Sequence, residues 1–147
     1  MSTDKALSGS TAAHRFLSAF ARRDAAAAAA ELAPDAKVTF HGLGRSGTGP
    51  ELVLEALGDI ATAFPDLLVT VKRVLITGDV VTAQLKAEGT QAAEYAGAIN
   101  QEKHLDLDEG WRFQLTGDRI TALDVYWCQQ QLYRRLAVKR FDQVAIV

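Results

Sequence analysis

One cysteine in 147 residues leaves no partner for an internal disulfide, and the chain is expected in a reducing compartment. No apolar run reaches the roughly 18 residues that a membrane span requires. Met1 to Ser10 is polar and has no apolar centre of the kind a secretory signal carries. Neither sign of charge dominates. Sixteen Lys and Arg stand against 18 Asp and Glu, a net charge of −2 that offers no footprint for nucleic acid or an anionic membrane surface. These absences leave a cytoplasmic globular protein, without nucleic-acid or membrane partners, as the expectation.

What is present is apolar material for one core. Hydrophobic residues make up 48% of the chain, and residues 1–147 are read as a single domain. Residues 1–10 are expected to fray. Ser10 or Thr11 can cap a helix that carries Phe16, Leu17 and Phe20 at 3.6-residue spacing. Asp24 caps a second helix, expected to run from Ala25 through Leu32 and to end at Pro34. A short strand, Val38 to Phe40, ends at His41. The glycine-rich GLGRSGTGP that follows reads as a flexible lip, since it lacks the lysine and the strand–loop–helix spacing of a phosphate-binding loop. A third helix, Glu51 to Ala63, puts Leu54, Leu57, Ile60 and Ala61 on one face. Two long strands follow, Leu67 to Ile76 and Val80 to Glu88, turning at Thr77-Gly78-Asp79. The order is that of an α+β domain with its helices gathered against one face of a curved antiparallel sheet.

The stretch from Gln101 to Leu136 concentrates the chemistry. It reads as two antiparallel strands joined at Leu115-Thr116-Gly117-Asp118, then a short helix, and it holds both tryptophans and the cysteine. Strict alternation would put Ile120, Ala122, Asp124, Tyr126 and Cys128 on one face. If that face lines a pocket, Asp124 is a carboxylate that must be protonated, paired or functional. Otherwise it is an acid on a wet edge, bonded to Arg112 or Arg119. His104, Asp106 and Asp108 alternate with leucines and read as a solvated face rather than a metal site. Arg112 points away from Trp111 and Phe113. Cys128 reads as a small hydrophobe before it reads as a nucleophile.

Several strings in this order resemble the SnoaL-like polyketide cyclases of the NTF2-like superfamily, over about Ala13 to Leu136. They are AFARRD, APDAKVTFHG, AFPDL, GDVVTAQLKAEGT and the final WRF…GDRI…YW…L. The resemblance implies a cone in which a bent sheet wraps three helices around an apolar cavity, and a homodimer formed through the outer face of the sheet. It implies acid–base chemistry without metal or organic cofactor, closing a ring by intramolecular aldol condensation on a hydrophobic, polyketide-derived or cyclic molecule. Isomerase-like or epoxide-hydrolase-like chemistry, or ligand binding without catalysis, are the alternatives. Two positions depart from the pattern: Gln91 stands where relatives often keep a histidine, and Cys128 where many keep an aspartate.

The expected catalytic pair is therefore Asp124, as general acid/base, and His41, near the point where isomerase cousins place a base. Tyr126 or Gln91 would hold the developing oxyanion. Phe40, Trp111, Phe16, Phe20, Phe64, Tyr95 and Cys128 would complete the substrate wall. Residues 137–147 run past the resemblance, and Phe141, Val144 and Ile146 are candidates to cover a partner or the cavity mouth.

Overall fold

A computed structural model describes residues 11–138. The expectations for residues 1–10 and for Phe141, Val144 and Ile146 lie outside these. Thr11 starts the first helix, α1 (Ala12–Ala21), by accepting the amide of His14 on its hydroxyl. Asp24 caps α2 (Ala25–Ala29) in the same way, through the amide of Ala27. Strand β1 (Leu32–Phe40) leads through a 3₁₀ turn, His41–Leu43, into β2 (Arg45–Thr48) and α3 (Glu51–Ala63). The hairpin β3 (Leu68–Thr77) and β4 (Val80–Thr90) is followed by β5 (His104–Thr116), β6 (Arg119–Trp127) and α4 (Gln129–Arg135). The six strands form one sheet in the order β2-β1-β6-β5-β4-β3. All neighbours are antiparallel except β1 and β6, which run parallel.

Three expectations are corrected. Alanine propensity does not carry α2 to Leu32. The helix ends at Ala29, and β1 starts at Leu32 because Leu32, Ala36, Val38 and Phe40 are all buried in the core. Pro34 is tolerated in that strand because it falls where the ladder with β6 is interrupted, between Leu32 and Lys37. The glycine-rich lip contains an edge strand: Arg45–Thr48 pairs with Lys37–Phe40. On α3 the packed face is rotated, with Leu52, Val53, Ala56, Leu57 and Ile60 buried and Leu54 exposed.

The core lies between the helices and the concave face of the sheet. Phe16 and Phe20 of α1 pack against Trp111 of β5, with centroids 5.6 and 5.0 Å away, and Phe40 meets the same indole edge-on at 6.1 Å. Alternation along β5 sends Leu105, Leu107, Glu109, Trp111 and Phe113 inward, while Asp106, Asp108 and Arg112 face out. The outward acids are paired across the strands, Asp106 with Lys86 at 3.1 Å and Asp108 with Lys72 at 3.9 Å.

Candidate active site

The strict alternation expected along β6, which put Ile120 and Asp124 on one face, is the main correction. Gln114 pairs with Ala122 but Leu115 pairs with Ile120, so Thr121 is an extra residue in β6. Its hydroxyl donates to the Gln114 carbonyl at 3.3 Å and lies 3.0 Å from that of Thr116, which holds the bulge. A bulge inverts the alternation beyond it. Ile120 therefore points inward with Leu123 and Val125, while Asp124 and Tyr126 emerge on the outer face. Tyr126 is 47% exposed.

On that outer face the structure brings together three of the expected residues. His41, in the 3₁₀ turn after β1, donates from Nε2 to Asp124 Oδ1 at 2.9 Å. Its ring stacks on Tyr126 at 4.2 Å and 6°. The partner of Asp124 is thus His41 rather than Arg112 or Arg119; Arg119 donates to the Ala30 carbonyl instead. His41 also lines an open cleft of about 950 Å³ at the mouth of the cone, with Arg45, Asp59, Thr62, Glu94 and Tyr133.

Among the described residues the carboxyl inside the cone is Glu109, which none of the sequence expectations included. Its side chain is 4% exposed and lines a cavity enclosed by Phe20, Phe40, Leu57, Ile60, Tyr95, Trp111 and Trp127. Trp111 Nε1 donates to its Oε1 at 3.0 Å. Burial outweighs that hydrogen bond and pushes the carboxyl pKa up to about 7. A second carboxyl or a cation would change this balance, but the other lining side chains are apolar or aromatic. The sequence did carry a signal for this residue. The alternation in HLDLDEGWRF that turns Asp106 and Asp108 outward turns Glu109 inward with the leucines.

The remaining wall residues divide. Phe20, Phe40, Trp111 and Tyr95 face the cavity, while Phe16 and Phe64 pack behind them against Trp111 and Tyr95. Gln91 is buried, but its amide is committed to the chain: Nε2 donates to the carbonyls of Ala93 and Ala98, both at 3.1 Å, and Oε1 accepts from Gln101 N. It organises the segment between β4 and β5. Cys128 is exposed and caps α4 through the amide of Gln131. Among the described residues no group of three His, Cys, Asp or Glu is placed to hold a metal ion, and no helix is long and apolar enough to cross a membrane.

A bent sheet and its helices thus close over an aromatic interior in which Glu109 is the buried acid among the described residues. The sequence profile of the SnoaL-like domain matches residues 13–123, and the chain belongs to that family. No curated protein matches it significantly. Among solved structures it is similar to a candidate SnoaL-like polyketide cyclase from Jannaschia sp. CCS1, at 17% identity over 88% of this chain and 91% of that one, with a TM-score of 0.77. IdmH from Streptomyces antibioticus, a candidate polyketide cyclase, is 21% identical over 86% and 96%, with a TM-score of 0.72. A protein of ketosteroid isomerase-like fold from Catenulispora acidiphila is 17% identical over 87% and 93%, with a TM-score of 0.73. At these identities the likeness carries the fold.

Proposed function

We propose that the protein is a cofactor-free acid/base enzyme acting on a hydrophobic, oxygenated cyclic or polyketide-derived molecule, with Glu109 as its proton-transfer group. The observation that carries the reading is a carboxyl buried among aromatic rings and held near neutrality. Such a group is present as carboxylate and acid in comparable amounts at pH 7, so it can both take and return a proton. In the aldol-type ring closure we favour, the carboxylate takes a proton from carbon beside a carbonyl. The resulting enolate carbon attacks a second carbonyl of the same molecule, and the new alkoxide takes the proton back from Glu109. No atom is gained or lost, and the low-polarity walls favour the neutral acid that the carboxylate becomes. Candidate polyketide cyclases among the structural relatives agree with this substrate class.

The test is isotope exchange, because it needs no knowledge of the natural substrate. 2-Tetralone, a bicyclic ketone with acidic hydrogens beside its carbonyl, is incubated in D₂O and followed by NMR. The wild-type protein is expected to accelerate deuterium incorporation and Glu109→Gln to abolish the acceleration. Equal acceleration by both proteins would rule Glu109 out.

A second reading is a binding protein without catalysis. The closed interior and the use of Gln91 on the backbone favour it, and it predicts ligand binding that Glu109→Gln leaves intact, with no exchange in either protein. In both readings dimerisation through the outer sheet face, where charged pairs such as Lys86–Asp106 lie, is part of the proposal; light scattering after size-exclusion chromatography reads it.

A further inference from the structure

Glu109 is sealed. Its cavity holds about 10 Å³, the room of roughly one water molecule, so no ring-sized ligand fits beside the carboxyl as the chain stands. The cleft of about 950 Å³ outside is large enough for one but does not touch Glu109. One residue lines both spaces, Tyr95. Tyr95 therefore stands between the open cleft and the carboxyl.

The segment carrying Tyr95 is built differently from the walls around it. Residues 91–103, between β4 and β5, hold no strand or helix. Tyr95 and Ala98 exchange two backbone hydrogen bonds, Tyr95 N to Ala98 O at 3.1 Å and Ala98 N to Tyr95 O at 2.8 Å, across a two-residue turn. Both central residues have positive φ, Ala96 at 50° and Gly97 at 85°, the pattern of a type I′ turn. Gly97 meets it without strain, whereas Ala96 carries a Cβ into a region that costs about 1 kcal/mol or more. The strained position is held from outside by Tyr133 of α4, whose hydroxyl donates to the Ala96 carbonyl at 2.9 Å. Trp127, another wall residue of the Glu109 cavity, is more closely held. Its indole packs on Gly42, where an added Cβ would come within 2.3 Å of it, and its Nε1 donates to Gln129 at 2.9 Å.

We infer that the mouth cleft and the Glu109 cavity are two compartments of one binding site, divided by Tyr95, and that the Tyr95–Ala98 turn swings out to admit a planar ring when Tyr133 releases Ala96. This rests on the reading of Glu109 as the reacting group, and it makes Tyr95 the residue that selects what reaches it. A flat, ring-shaped ligand slides past a displaced phenol, while its polar remainder stays in the cleft beside His41, Arg45 and Asp59.

The test uses Tyr133→Phe, which keeps the ring and removes the latch, with 2-naphthol as the planar probe. Amide hydrogen exchange is expected to speed up about fivefold at Ala98, the yield of losing one hydrogen bond, while the amides of β4 and β5 keep their wild-type rates. The apparent affinity for 2-naphthol, followed by NMR at the Trp111 indole N–H, is expected to rise by about the same factor, because the competent state becomes more populated. Unchanged exchange at Ala98, or acceleration spread equally over β4 and β5, overturns the inference. So does 2-naphthol that shifts cleft residues such as Thr62 and never the Trp111 indole. Neither readout involves turnover, so a failure of Glu109 in the tetralone assay and a failure of the gate are told apart.

Discussion

Glu109 and Asp124 sit on paired strands of one hairpin, carry the same chemical group, and face opposite sides of the sheet. Asp124, outside, accepts a hydrogen bond from His41 in contact with water. Glu109, inside, accepts one from Trp111 and is pushed up to a pKa of about 7 by desolvation. The contrast teaches that the strand face, more than the residue type, decides which carboxyl is fit for proton transfer to carbon. A single inserted residue, Thr121, decides the face for Asp124.

The largest effect that sharpens this contrast is catalytic. Glu109→Gln is expected to lower exchange of 2-tetralone by about 10²–10⁴-fold, the usual worth of a positioned general acid or base, whereas Asp124→Asn should change it by less than about threefold. The reverse order would move the active site to the rim.

The next effect is on stability against pH, read from urea unfolding of the wild-type and Glu109→Gln proteins between pH 4 and 9. Folded Glu109 holds its proton up to about pH 7, while the unfolded chain releases it near 4.5. Between those values the native state binds more protons, so stability falls as pH rises. The slope is about 1.4 kcal/mol for each pH unit crossed, and the whole loss a few kcal/mol at most. The glutamine variant should lose that slope. Buried His14 gives the opposite slope on the acid side, because burial lowers its pKa and the unfolded chain takes up a proton first.

A smaller effect tests the fixed wall. Gly42→Ala drives a methyl group into the Trp127 indole and should cost about 1–3 kcal/mol in thermal or urea unfolding. The smallest belongs to the outer cluster. Asp124→Ala removes a part-hydrated pair with His41 and should cost less than about 1 kcal/mol, whereas a larger loss would show the rim to be structural.

Much of this was legible in the sequence. Turn residues placed both hairpins: Gly78 and Gly117 adopt positive φ where the turns were expected. The aromatic wall followed from the apolar face of α1 and the spacing of Trp111 and Phe113. The interior acid was legible too, in the alternation of HLDLDEGW, but a lone glutamate after two outward aspartates draws less notice than an aspartate beside tyrosine and tryptophan. The bulge at Thr121 was not legible, since it is set by pairing with β5 and β1 at once, and neither partner is local in sequence. The strand Arg45–Thr48 was hidden for a similar reason. Its serine, glycine and threonine have little apolar pattern, and only pairing with β1 orders them.

The most direct measurement is titration of the Glu109 carboxyl itself, by carbon-13 NMR with Glu109→Gln to assign the resonance. The expected midpoint is about 7, well above the 4.5 of a glutamate in water. A midpoint near 4.5 would mean that water reaches this carboxyl freely, and the interior would then have no acid suited to the proposed chemistry.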